Sequence, residues 1–210
     1  MRAAAAAPAT VALVAATVAA SVMILLSGWL PPAAVLGGFI PERFSGLEIL
    51  PELGFAVPAW ATPLSATLIH GGAGHLLLNI AMLGYCGASV ERAIGSGPLV
   101  VLYVVGAYAA AAGQWLLFGG GPMIGASGAI SAVVATYALL YGRHRVRRMG
   151  PVPGGVLHVA WLAAAWIGLQ LLVGAVGLDG APIAVGAHIG GFLAGLALAR
   201  PLLLWRWRGA

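Results

Sequence analysis

"GASGAISAVVATYALLY", residues 125–141, is an apolar run that opens on Gly125, Ala126, Ser127 and Gly128. It follows the breaker stretch Gly119-Gly120-Gly121-Pro122 and stops before the basic cluster Arg143, Arg145, Arg147 and Arg148. A short apolar helix that starts with a hydroxyl between small residues has two readings. One is close packing against a neighbouring helix. The other is a nucleophile placed at a helix start. The rest of the chain has to decide between them.

The 210 residues are 61% hydrophobic and 7% charged, against about 25% charged residues in soluble domains. So much apolar surface cannot be hidden from water by one chain of this size, and the class is a polytopic membrane protein whose first partner is the lipid bilayer. All ten basic residues are Arg, but they fall at the ends of apolar runs and form no patch interleaved with aromatics. Nucleic acid is excluded as a partner on that ground. The single cysteine, Cys86, excludes an intrachain disulfide and reads as a small buried apolar residue.

Six apolar runs are long enough to cross a bilayer, roughly 9–30, 68–90, 98–118, 126–142, 156–177 and 182–204. The fold class is all-α, a six-transmembrane-helix bundle forming a single membrane domain over residues 1–210. The first run exceeds the 7–15 residues of a signal-peptide core and reads as a retained helix. With the N-terminus inside, nine of the ten Arg fall on cytoplasmic segments and only Arg43 lies outside, beside Glu42, Glu48, Glu52 and Asp179. That bias predicts cytoplasmic N- and C-termini. The long outer connection, 31–67, carries six prolines with Phe39, Phe44, Phe55 and Trp60. It shows no helical period and is expected to rest in the membrane interface.

Polar groups inside spans are costly and few. They are His70, His75 and Asn79 in the second run, Gln114 in the third, Ser127 and Ser131 in the fourth, His158 and Gln170 in the fifth, and His188 in the sixth. Counting up from the cytoplasmic ends at about 1.5 Å per residue places Ser127 and His75 each about 24 Å above the inner boundary, and His188 at about 18–27 Å. Three helices thus bring polar groups to one level in the outer leaflet. Asn79 lies one helical turn below His75 on the same face. His70 is expected to hold the start of the second helix, Gln114 and Gln170 to bridge helices, and Glu91 with Arg92 to cap a cytoplasmic helix end.

A serine hydroxyl attacks a carbonyl only when a base takes its proton. His188 is a candidate base, because Ala187, Gly191, Gly195 and Ala199 recur every four residues and permit close helix contact. The attack creates an oxyanion that needs fixed donors. Asn79, His75 and the backbone N–H groups of Gly125, Ala126 and Ser127 are the candidates. Gly128 and Gly191 support the contact, and no Asp lies near His188, so the arrangement reads as a dyad. A transporter reading is disfavoured by the lack of intramembrane carboxylates and inverted repeats.

These residues resemble the rhomboid intramembrane serine proteases. Gly125-Ala126-Ser127-Gly128 resembles their GxSG motif, "HGGAGHLLLN" (70–79) their His-x-x-x-Asn motif, and "AHIGGFLAG" (187–195) the segment around their catalytic histidine. "VERAIGS" (90–96) resembles the cytoplasmic end of their second helix. The resemblance implies a rhomboid fold, Ser127 as nucleophile and His188 as general base. It implies His75, Asn79 and the Ser127 N–H as oxyanion donors, with no cofactor and no metal. It implies transmembrane proteins as substrates, in the plasma or inner membrane, cut at a site open to the extracytoplasmic side. A catalytically inactive relative that binds membrane proteins is the alternative. The chain departs from the family where Ser131 stands in place of an aromatic that packs on the catalytic histidine; Ser131 is expected to hydrogen-bond His188 instead. It departs again at Trp60-Ala61, where the family often has Trp-Arg.

Overall fold

The computed structural model describes residues 7–46, 55–117, 122–142, 147–176 and 184–208, without the side chains of 170, 171 and 173–176. Arg143, Arg145, Asp179, Glu48, Glu52 and the Gln170 side chain, all invoked above, lie outside the described residues. The described residues form helices and short turns, with no named strand. Helices Pro8–Leu26 (α1), Ser96–Leu117 (α6) and Val185–Arg206 (α9) are long and apolar enough to cross a membrane, as is the continuous stretch Ala73–Ile94. That stretch is Ala73–Met82 (α4), a π turn over Leu83–Gly87, and Ala88–Ile94 (α5). Ser127–Tyr141 (α7) is shorter, and Gly154–Val176 (α8) precedes α9.

The stretch 31–67 is more helical than its prolines suggest. Leu30–Gly37 (α2) begins with Pro31 and Pro32 in its first turn, where a missing N–H forfeits no helical bond. Further turns follow at Pro41–Ser45 and Ala59–Ala61, then Thr62–Ser65 (α3) and Ala66–Leu68. The second long helix starts at Ala73, after Gly71 and Gly72, and not at 68.

Burial follows the logic of a lipid solvent. On α1 the buried residues are Thr10, Thr17 and Ser21, while Val11, Met23 and Leu26 are exposed. Lipid accepts the apolar faces, so polar groups turn inward to find partners. The core packs Leu83, Val90, Ile94, Leu99, Leu102, Ile130 and Val133 between α4–α5, α6 and α7. Cys86 is buried in the same cluster. α9 lies against α6 and α7 through glycines. A Cβ on Gly190 would strike the Ala109 carbonyl, and one on Gly191 the Gly128 carbonyl.

The helix end that Glu91 caps is that of α1. Its carboxylate accepts the N–H groups of Ala9 (2.9 Å) and Thr10 (2.8 Å), and the hydroxyls of Thr10 (2.6 Å) and Ser96 (2.7 Å). The first N–H groups of a helix have no internal acceptor, and an anion there opposes the positive end of the helix dipole. Glu91→Ala strands these donors in a buried position. It is expected to lower stability by about 3 kcal/mol, read as a fall in the thermal unfolding midpoint in detergent. Glu91→Ala with an unchanged midpoint would mean that water replaces the carboxylate at no cost. Gln114, expected to bridge helices, has its buried Oε1 without a partner among the described residues.

Candidate active site

The start of α7 is fixed from three directions. Phe39 and Met123 exchange backbone hydrogen bonds of 3.0 and 2.8 Å, which ties the segment after α2 to the approach of the turn. Gly125 takes φ +111°, a conformation that favours glycine, and donates its N–H to the Ala66 carbonyl at 2.9 Å. The Ala126 N–H donates to Nε2 of His70 at 3.3 Å. The helix then begins at Ser127, so the Ser127 N–H belongs to the first turn and has no intrahelical acceptor.

Ser127 Oγ and His188 Nε2 are 2.7 Å apart, 61 positions apart in sequence. The approach depends on the glycines of α9: with Gly191 against Gly128 and Gly195 against Ala132, the two backbones touch directly. His188 is buried, and its Nδ1 has no hydrogen-bond partner among the described residues. Among the described residues, no third group orients the ring from behind.

Ser131 does not bond His188, contrary to the expectation from its position. Its hydroxyl donates to the Ser127 carbonyl at 2.8 Å and accepts from Trp166 Nε1 at 2.9 Å. Trp166 comes from α8 and packs with Ala135 and Phe192. Spacing along α7 gave no sign of this residue, because its ring arrives from another helix. The one available signal was a Trp inside an apolar run, whose indole N–H needs an acceptor when buried.

His75 and Asn79 line the same cavity as Ser127 and His188, a space of about 260 Å³. Asn79 is buried and uses one amide hydrogen on the His75 carbonyl at 2.8 Å; the second hydrogen remains for another acceptor. The Gly71 N–H approaches His75 Nδ1 at 3.4 Å, a contact that leaves Nε2 as the protonated nitrogen. A Cβ at Gly125 would lie 2.8 Å from that Nε2, so the ring sits directly on the turn. Gly125 and Ala126 were candidates for oxyanion donors, but both N–H groups already have acceptors, Ala66 O and His70 Nε2. These two residues shape the turn. Among the described residues no three of His, Cys, Asp and Glu come together as metal ligands.

Comparison with known proteins bears on the same residues. The family model for the Rhomboid domain matches residues 58–205. The chain is 33% identical over 134 residues to the rhomboid protease GlpG of Enterobacter sp. (strain 638), covering 63% of this chain and 45% of that protein. It is 30% identical over 138 residues to rhomboid protease GlpG of Yersinia pestis (strain Pestoides F), covering 65% and 46%. It is 32% identical over 138 residues to that of Serratia proteamaculans (strain 568), again covering 65% and 46%. The match spans about half the length of these curated relatives.

Proposed function

The chain belongs to the rhomboid family of membrane proteins, and on that premise we propose that it is an intramembrane serine endopeptidase working through Ser127 and His188. The observation that carries this reading is the 2.7 Å approach of Ser127 Oγ to His188 Nε2 on the wall of a cavity. Ser127 Oγ attacks the scissile carbonyl carbon as its proton passes to His188 Nε2. The carbonyl oxygen becomes an oxyanion facing the Ser127 N–H, the second amide hydrogen of Asn79 and the Nε2–H of His75. Collapse of the intermediate breaks the C–N bond, and the leaving amine takes the proton from His188. Water then attacks the acyl-enzyme with His188 again as base. The carboxylic acid leaves, and Ser127 regains its proton.

The substrates are transmembrane proteins. The 15 residues of α7 span about 22 Å, less than the roughly 30 Å of hydrocarbon. Ser127 thus sits below the membrane surface, at the floor of a cavity that admits water from one side. With α7 and α8 counted as spans the bundle has six. The Arg distribution puts both termini in the cytoplasm and the cavity on the extracytoplasmic side of the plasma or inner membrane. A substrate helix must unwind locally to present its carbonyl, so small or helix-breaking residues are expected near the cut.

A fluorophosphonate tests the reading directly. The reconstituted protein should form one adduct, and mass mapping should place it on Ser127. A folded protein that takes no probe would overturn the protease reading in favour of a non-catalytic binder of membrane proteins.

A further inference from the structure

None of the residues lining the cavity belongs to α1, yet α1 reaches the residue before Ser127 through two hydrogen bonds. Ser21, fully buried in the last two turns of α1, lies 2.8 Å from His70 Nδ1 and donates its hydroxyl proton to the Leu68 carbonyl at 2.8 Å. His70 Nε2 faces the Ala126 N–H. The proton positions in this chain are fixed by elimination. A backbone N–H can only donate, so Nε2 is bare and Nδ1 carries the hydrogen. The Ser21 proton is committed to Leu68, so its oxygen accepts from Nδ1–H. Each hydrogen bond from α1 to the turn thus has one defined donor and one defined acceptor. The His70 ring also meets the His75 ring edge-on, with centroids 4.9 Å apart. The Gly125–Ser127 turn is thus held on one side by His70 and covered on the other by His75.

We propose that Ser21 and His70 are positioning residues: through the Ala126 N–H they fix the turn that aims Ser127, and so set how fast its hydroxyl reacts. The catalytic consequence rests on the reading of Ser127 as nucleophile. Without the Ser21 oxygen, Nδ1–H loses its acceptor in an apolar surrounding, and the ring is free to adopt the other tautomer. Nε2–H then points at the Ala126 N–H, donor against donor, and the turn shifts. Small misplacements of a nucleophile cost large factors in rate.

The test compares the unsubstituted protein with Ser21→Ala and with Thr10→Val, which loosens α1 at its far end by removing the Thr10 hydroxyl from Glu91. Three quantities are read in liposomes: the fluorophosphonate labelling rate, kcat and KM for a single-span substrate, and deuterium exchange of a fragment containing Ala126. Ser21→Ala should slow labelling and lower kcat about tenfold with KM unchanged, and should speed exchange at Ala126. Thr10→Val should lower the unfolding midpoint and leave all three readings in place. Unchanged exchange at Ala126 in Ser21→Ala, or a rate loss matched by Thr10→Val, overturns the proposal. An unsubstituted protein that takes no probe overturns the nucleophile reading, while the exchange data still decide whether Ser21 holds the turn.

Discussion

Ser127→Ala and His188→Ala are each expected to leave a folded, membrane-embedded protein that cleaves a single-span substrate at least about 10⁴-fold more slowly than the unsubstituted chain. The first removes the attacking oxygen. The second leaves the Ser127 hydroxyl with no base at 2.7 Å, and an unassisted hydroxyl is a weak nucleophile. The double substitution should be no worse than either single one, because the two groups perform one step together. Residual rate reflects the oxyanion donors and substrate placement alone. The measurement is the initial rate of product formation in liposomes, with thermal unfolding to show that each variant is folded. Cleavage that survives Ser127→Ala would point to another nucleophile or a contaminant. Cleavage that survives His188→Ala within about tenfold would place the base elsewhere.

Gly191→Val should have the second-largest effect, and on stability and activity together. An added Cβ meets the Gly128 carbonyl oxygen first, then its carbon at 2.9 Å and the Ser131 Cβ at 3.3 Å. One turn further along, a Cβ at Gly195 would stand 2.7 Å from the Ala132 Cα. These are mostly backbone atoms, and no side chain can swing aside to make room. α9 must move away from α7 as a body. We expect a stability loss of at least about 3 kcal/mol, with a cleavage rate down about 100-fold even in the folded fraction. The cause is the same in both readings: the displacement carries His188 out of hydrogen-bond reach of Ser127. Gly168→Ala on α8 is the contrast, since a Cβ there meets nothing within 4 Å. It should be neutral or add up to about 1 kcal/mol through helix propensity. Equal behaviour of the two variants would show that the α7–α9 contact is looser than its geometry indicates.

Both expectations depend on polar and small residues placed in a setting where neither is common. In lipid a buried hydroxyl or imidazole must find a partner within the bundle. Two separate arrangements of such partners bear on Ser127. One joins Trp166, Ser131 and the Ser127 carbonyl. The other joins Ser21, His70 and the Ala126 N–H. Both converge on the first turn of α7, one at the Ser127 carbonyl and the other at the N–H of the residue before it. The short helix α7 is therefore held at its start by other helices, more than by any cap of its own.

The amino-acid sequence by itself determined the class of the protein and its polar inventory. Composition required a membrane, apolar runs located the long helices, and the four motifs singled out Ser127, His188, His75 and Asn79 among a handful of intramembrane polar residues. Local chemistry was legible wherever one helix or one turn decides it, as with Gly125 in the turn before Ser127. The prolines at 31 and 32 misled, because a proline ends a helix in its interior but is harmless in its first turn. What only the tertiary structure decided is which groups meet across helices: Glu91 with the start of α1, Ser131 with Trp166, His70 with Ser21 and Ala126, and the 2.7 Å between Ser127 and His188. The physical reason is that lipid removes the signal on which such reading depends. In water a helix marks its inner face with apolar residues. Here both faces are apolar, and the rotation of each helix is set by where its few hydroxyls and glycines find their partners.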